Sequence, residues 1–119
     1  MAARVLKSYT AQYPDPIQVT KGDRVRLGKR DSEFPGWIWA TSLKTGNSGW
    51  IPEQLLSISG DEAEARRDYT ARELSVVEGD IVMVLEELLG WAFVESAGST
   101  GWVPVRHLAR SVSAVDLPL

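Results

Sequence analysis

The side chains that carry out covalent or metal chemistry are scarce in this chain. Its 119 residues include no cysteine and a single histidine, His107. A thiolate nucleophile, a disulfide and a zinc site built from several imidazoles are therefore excluded. We find no Ser–His–Asp arrangement and no glycine-rich phosphate loop before a helix. The sequence predicts a protein that is not an enzyme and needs no metal or cofactor, with His107 partly exposed on a short turn.

Tryptophan is the unusual residue, and its placement is regular. Gly-Trp dipeptides end at Trp37 and Trp91, and Gly-Trp-x-Pro segments span residues 49–52 and 101–104. A tryptophan that follows a glycine at the start of a strand is often exposed on one face. We therefore expect Trp37 and Trp91 to be exposed on one face.

Four further aromatic residues remain open at this stage. Trp50 and Trp102 fit a core position and a ligand contact equally well. Tyr9 and Tyr69 either pack their rings at a rim of the fold or contact a ligand, since a tyrosine combines an apolar ring with a polar tip.

These residues belong to an internal repeat. The matching segments are Ser8–Ala11 with Asp68–Ala71, Ile17–Val19 with Leu74–Val76, Gly22-Asp23 with Gly79-Asp80, Gly36-Trp37 with Gly90-Trp91, and Gly49–Pro52 with Gly101–Pro104. The offset falls from 60 residues at the tyrosines (69 − 9) to 52 at the prolines (104 − 52). Each change falls in a predicted loop, where length differences cost little.

The repeat predicts two domains, at residues 1–56 and 65–110. Residues 57–64 are small, polar and acidic, which indicates a linker, and residues 111–119 form a tail without a counterpart. The net charge is +3 for residues 1–56, −3 for the linker and −3 for residues 65–119, which sum to the −3 of the chain.

Charge and hydropathy exclude several partners. A net charge of −3 argues against a general nucleic-acid binder. No stretch approaches the roughly 18 apolar residues of a membrane span. The first 13 residues contain no apolar leader. We therefore expect a cytoplasmic protein that binds neither nucleic acid nor membrane.

Short strands must position the aromatic residues. Turn residues recur every 8–12 positions, as in a small all-β domain. In the first copy Ile38 and Ala40 alternate with two tryptophans, which indicates a half-buried strand. Pro52 and Pro104 should end their strands and begin one short helical turn each. A closed sheet suits so small a unit, because closure removes free edges.

Both copies resemble the Src-homology-3 (SH3) domain, and together they cover nearly the whole chain. The resemblance rests on the repeated segments above, in the order in which that family has them. It implies two five-stranded β-barrels in tandem, each with one 3₁₀ turn. Tandem copies with no catalytic domain look like bacterial stand-alone proteins of this family.

The resemblance also implies the binding of proline-rich peptides in the polyproline II conformation. Such a peptide is already extended, and its prolines fit between aromatic side chains. The groove residues carried over are Tyr9, Trp37, Trp50 and Pro52 in the first domain and Tyr69, Trp91, Trp102 and Pro104 in the second. Asp15, in the acidic loop of the first copy, would pair with a basic ligand residue.

The chain departs from the family pattern at the outer proline slot. Two further groove tyrosines are replaced, one by Lys7 and Arg67, the other by Leu55 and His107. The second acidic loop, residues 70–73, is three residues shorter than the first. The departures predict weak binding of a protein or peptide partner.

Three alternatives stay open. The barrels could instead self-associate, with occluded or vestigial grooves, or bind peptidoglycan in a cell wall. A cage for methylated amines is the third, and no residue favours it. The sequence does not fix the oligomeric state.

Overall fold

The computed structural model describes residues 1–13 and 15–109. The predicted all-β class with two small barrels is confirmed. Its strands are β1 Ala2–Val5, β2 Gln18–Val19, β3 Arg24–Arg30, β4 Trp37–Ser42, β5 Ser48–Pro52, β6 Leu56–Ser59, β7 Glu62–Ala65, β8 Tyr69–Thr70, β9 Ile81–Leu88, β10 Trp91–Ser96, β11 Ser99–Pro104 and β12 Leu108–Ala109. Two 3₁₀ turns, Glu53–Leu55 and Val105–His107, follow the two prolines, as the sequence predicts.

The chain forms two compact units. The continuous unit is Tyr13–Arg72, and the discontinuous unit combines Met1–Gln12 with the described residues from Glu73 onward. These bounds differ from the predicted 1–56 and 65–110. The chain passes from one unit to the other between Gln12 and Tyr13 and again between Arg72 and Glu73, within the two segments expected to be acidic loops.

The discontinuous unit is built on a five-stranded antiparallel sheet with strand order β11-β10-β9-β1-β12. The first strand of the chain therefore lies between two strands of the second repeat. Its inward residues Ala3 and Val5 join a core of short apolar side chains. The other buried members are Val76, Val82, Ala92, Val94, Val103 and Leu108.

The continuous unit contains the matching sheet, with order β5-β4-β3-β7-β6, and the short pair β2-β8. Alternation along β4 turns Ile38 and Ala40 inward, and Val25 and Ile51 are fully buried in the neighbouring strands. The alternating pattern of β4 is the one that the sequence predicts, because residues two apart in a strand share a face.

The segment predicted to be a linker is a β-hairpin. Strand β6 pairs with β7 from Leu56 opposite Ala65 to Ser59 opposite Glu62. Gly60 occupies the turn with φ +66, a conformation that favours glycine. The linker prediction was wrong because Ala63 and Ala65 alternate with glutamates and are buried as strand residues.

Strands β1 and β7 are equivalent in the repeat and have exchanged places. By the offset of 60, Ala2–Val5 corresponds to Glu62–Ala65. Each strand completes the sheet of the other repeat through equivalent bonds. The amide of Val5 donates to the carbonyl of Asp80, and the amide of Ala65 donates to the carbonyl of Asp23, both at 2.8 Å.

Candidate functional site

An aromatic cluster lies in the discontinuous unit, where β10 begins and β11 ends. Trp91 is paired across the sheet with Pro104. The ring of Tyr9 stands edge-on to Trp91, with centroids 5.9 Å apart, and edge-on to His107, with centroids 5.3 Å apart. Tyr9 and Trp91 are half-buried, so part of each residue remains accessible. We call Tyr9, Trp91 and His107 the aromatic cluster.

The position of His107 differs from the expectation. Its side chain is 7% exposed rather than partly exposed. Nδ1 lies 3.0 Å from the carbonyl oxygen of Lys7. A carbonyl oxygen only accepts, so Nδ1 donates this bond and the ring orientation is fixed. The 3₁₀ turn after Pro104 directs the imidazole inward against Tyr9.

Glu73 is a residue of this site that the sequence does not single out. Its Oε1 accepts hydrogen bonds from the hydroxyl of Tyr9 and from the amide of Gln12, both at 2.7 Å. Its position in the short acidic segment was the available signal. The carboxylate thus lies beside the aromatic cluster and carries negative charge there.

Gly101 allows the chain at Glu73 to approach the sheet. A Cβ at Gly101 would lie 2.8 Å from the carbonyl carbon of Glu73 and from the amide nitrogen of Leu74. Real Cβ contacts with backbone are not that short, so this glycine is required by close approach. This close approach explains why a glycine begins the Gly-Trp-x-Pro segment at residues 101–104.

The equivalent aromatic residues of the continuous unit are more buried. Trp37 begins β4 opposite Pro52 and is 9% exposed, while Tyr69 is 6% exposed. The hydroxyl of Tyr69 donates to the carbonyl oxygen of Trp50 at 3.0 Å. The expectation that Trp37 is exposed on one face was therefore wrong.

The two open tryptophans have different surroundings. Trp102 is 4% exposed and its ring lies 5.1 Å from the ring of Phe93, so it is a core residue. Trp50 is half-buried and lies edge-on to Trp39 at 5.2 Å.

The tyrosines are grouped differently from the expectation. Tyr9 was expected to join Trp37, but it contacts Trp91. Tyr69 was expected to join Trp91, but it bonds to Trp50. The physical reason is the exchange of the opening strands, which carries each tyrosine into the other repeat's sheet.

Asp15 lies in the continuous unit. It is exposed and accepts a hydrogen bond from Nδ2 of Asn47 at 3.3 Å. Tyr9 and Asp15, both expected in the first domain, therefore belong to different units.

The charged groups are mostly arranged along strand surfaces. Arg24 pairs with Glu62 at 3.0 Å, and Arg30 pairs with Glu53. The amide of Thr20 donates to the carboxylate of Asp23 and lowers its pKa. Within residues 1–13 and 15–109, no three ligand-type side chains are grouped to hold a metal ion. That part of the chain contains no helix long and apolar enough to cross a membrane.

Comparison with known families assigns both repeats. A family model described as a variant SH3 domain matches residues 2–59, and one described as an SH3 domain matches residues 65–105. Both matches agree with the resemblance that the repeated segments carry.

Curated relatives resemble the chain over short parts of their own length. Protein BZZ1 of Saccharomyces cerevisiae is 25% identical over 87% of this chain and 21% of that protein. SH3 and PX domain-containing protein 2B of Homo sapiens is 26% identical over 96% of this chain and 14% of its own. Ubiquitin-associated and SH3 domain-containing protein B of Homo sapiens is 36% identical over 45% and 9%. The chain spans no more than about a fifth of these relatives.

Proposed function

Because the chain consists of two SH3-type domains in tandem, which are non-catalytic modules of protein–protein interaction, we propose that it binds extended, proline-containing peptides or partner loops. The principal contact is the aromatic cluster of the discontinuous unit. The observation that carries this proposal is the edge-on packing of the half-buried Tyr9 and Trp91 at 5.9 Å.

Aromatic rings at this spacing suit a proline-rich ligand. A polyproline II segment is extended before it binds and loses little conformational entropy, and its rings pack against aromatic faces. Pro104 is paired with Trp91 in the sheet and is fully buried, so we assign it a role in supporting Trp91 and not in contacting the ligand.

Glu73 adds a preference for a basic ligand residue. Its carboxylate is held beside the ring of Tyr9 by two hydrogen bonds. A ligand arginine or lysine next to the prolines gains a charge-assisted hydrogen bond there. Asp15 is exposed in the continuous unit and is proposed to attract a basic ligand residue there.

The aromatic set of the continuous unit is proposed as a weaker site. Tyr69, Trp37, Trp50 and Pro52 hold the equivalent positions. The burial of Trp37, Tyr69 and Pro52 favours a mainly structural role for these three side chains. The second candidate function is therefore structural: the continuous unit contributes to the stability of the protein, and the discontinuous unit binds the peptide.

A peptide titration followed by two-dimensional NMR of the tryptophan indole N–H signals tests the proposal. We expect proline-rich peptides with a basic residue to shift Trp91 first. Trp91→Ala should weaken binding about tenfold or more, as for an aromatic anchor of an interface. Trp39→Ala is the matched control, because Trp39 is also half-buried and lies in the other unit.

Well-dispersed spectra that no peptide changes would contradict the peptide-binding function. Equal weakening by Trp91→Ala and Trp39→Ala would contradict the assignment of the site to the discontinuous unit. Circular dichroism and thermal unfolding of both variants separate lost binding from lost folding.

A further inference from the structure

We infer that each aromatic surface of this protein is a composite of both repeats, because the repeats exchange their opening strands within the chain. The tyrosine that packs against Trp91 comes from the first repeat, and the tyrosine that bonds to the carbonyl oxygen of Trp50 comes from the second. The binding part of this inference rests on the proposed function, whereas the strand exchange is independent of it.

Hydrogen bonds hold the opening segment of the first repeat, Met1–Gln12, within the discontinuous unit. The amide of Leu6 donates to the carbonyl of His107 at 2.7 Å, and His107 in turn bonds to Lys7. Tyr9 and Val76 exchange two backbone bonds at 2.9 Å. The position of the Tyr9 ring beside Trp91 is therefore set by backbone bonds before and at Tyr9.

The continuous unit shows the reciprocal arrangement. The amide of Arg66 donates to the carbonyl of Leu55 at 2.8 Å, which matches the bond between Leu6 and His107. The carboxylate of Asp68 accepts from the amide of Lys21 at 2.8 Å. The next residue, Tyr69, then reaches the carbonyl of Trp50.

Cross-strand charges select the exchanged pairing over its alternative. In the structure Glu64 lies opposite Arg24, and Glu62 lies opposite Arg26. Without exchange, the equivalent residue of β1, Arg4, would occupy the place of Glu64 opposite Arg24. Like charges directly opposite each other in a sheet are destabilising, and opposite charges are stabilising.

The other sheet gives the same preference. Its outward residues Ile81 and Met83 lie opposite Arg4 and Ala2. Without exchange, Ile81 and Met83 would lie opposite Glu64 and Glu62. These two glutamates would then lose their positions opposite Arg24 and Arg26. Exchange thus places the acidic strand β7 beside the basic strand β3. It places β1, which has no glutamate, beside the apolar outward residues of β9.

A consequence follows for ligand binding. A peptide that packs on Tyr9 and Trp91 together contacts residues 82 positions apart in sequence (91 − 9), one from each repeat. Substituting the tyrosine of the first repeat should weaken the site at the tryptophan of the second. A single repeat does not contain either complete surface.

Paired cysteines in the full chain test the strand exchange, since the natural chain has none. Ala2 and Met83 are opposite each other, and the flanking bond from the amide of Val84 to the carbonyl of Met1 makes them a non-hydrogen-bonded pair. The Cα atoms of such pairs are about 4.5 Å apart, within reach of a disulfide. Ala2→Cys with Arg26→Cys tests the unexchanged pairing.

We expect Ala2→Cys/Met83→Cys to form an intramolecular disulfide in nearly all molecules, and Ala2→Cys/Arg26→Cys to remain reduced. The reverse result overturns the inference. Disulfide-linked dimers of the first variant would place the exchange between two chains and also overturn it. Should these variants not fold, Arg4→Cys with Ile81→Cys or with Arg24→Cys gives the same comparison.

A peptide titration on the cross-linked protein keeps this test separate from the proposed function. A disulfide between residues 2 and 83 with undiminished peptide binding supports both. The same disulfide in a protein that binds no proline-rich peptide contradicts the proposed function and leaves the composite surface standing.

Discussion

At the scale of single residues, the site depends on how Tyr9 and Glu73 position each other. The hydroxyl of Tyr9 donates to Glu73 at 2.7 Å, and its ring packs edge-on against Trp91. One bond thus ties a carboxylate to the aromatic surface. We attribute the apolar part of ligand binding to the rings and charge selectivity to Glu73.

Glu73→Gln should lower the affinity for a proline-rich peptide with one arginine about fivefold, and the affinity for its alanine analogue much less. A partly exposed charge pair contributes on the order of 1 kcal/mol. Isothermal titration calorimetry at two salt concentrations measures both. Asp61→Asn, in the exposed turn of the β6–β7 hairpin, is the control, and an equal loss with both peptides would contradict the role of Glu73.

The carboxylate of Asp23 gives a pH-dependent prediction. The amide of Thr20 donates to it and lowers its pKa in the folded protein. A lowered folded-state pKa contributes stability above the unfolded-state pKa, near 4, and this is lost as pH falls through the folded value. Asp23→Ala should therefore reduce the free energy of unfolding at pH 7 and have a diminishing effect below about pH 4.

Urea unfolding of wild type and variant between pH 3 and pH 7 measures this difference. Asp61→Ala, in the exposed turn of the β6–β7 hairpin, is the control. A difference between wild type and Asp23→Ala that does not change with pH would contradict the role of the ionised carboxylate.

Residue types predict the aromatic site better than they predict burial. Trp91 and Tyr9 could be named from the repeat, and both are half-buried. The burial of Trp37 could not, because the same Gly-Trp dipeptide occurs at an accessible and at an inaccessible position. His107 lacked a signal for burial, since its partner is a backbone carbonyl 100 residues away.

At the scale of elements, the strand ends follow from turn residues and prolines, whereas the β6–β7 hairpin does not follow from composition. Small, polar and acidic residues indicated a linker. Ala63 within that segment and Ala65 directly after it are buried, and they alternate with glutamates that lie opposite Arg24 and Arg26. The strand is therefore defined by partners distant in sequence, which composition cannot supply.

The contact between β11 and the chain at Glu73 makes a prediction at this scale. Gly101→Ala places a Cβ 2.8 Å from backbone atoms of Glu73 and Leu74, which cannot move aside as a flexible side chain does. We expect a loss of about 1–3 kcal/mol, the usual cost of overpacking. Thermal and urea unfolding measure it.

Gly28→Ala is the matched control for Gly101→Ala. Its Cβ would meet a side-chain atom of Trp39 at 3.1 Å, which can shift slightly. A smaller loss at Gly28 than at Gly101 is expected. Equal losses would mean that close backbone approach is not the reason for the glycine of the Gly-Trp-x-Pro segment.

At the scale of the whole molecule, the sequence repeat and the compact units are different divisions of the chain. Repetition identifies two SH3-type domains, because equivalent residues recur in order. It does not identify which opening strand enters which sheet, since equivalent strands fit equivalent positions. Only cross-strand partners such as Glu64 and Arg24 distinguish the two pairings, and their positions become known with the strand register.

The central claim, that a surface shared by both repeats binds a proline-containing peptide, is tested most directly by a peptide titration of Tyr9→Leu followed at the assigned tryptophan indole signals. We predict that the substitution shifts the free-state signal of Trp91 and abolishes its response to peptide, while Trp37 keeps its free-state position. A shifted Trp37 signal with Trp91 unchanged, or peptide binding at Trp91 as in the wild type, would contradict the claim.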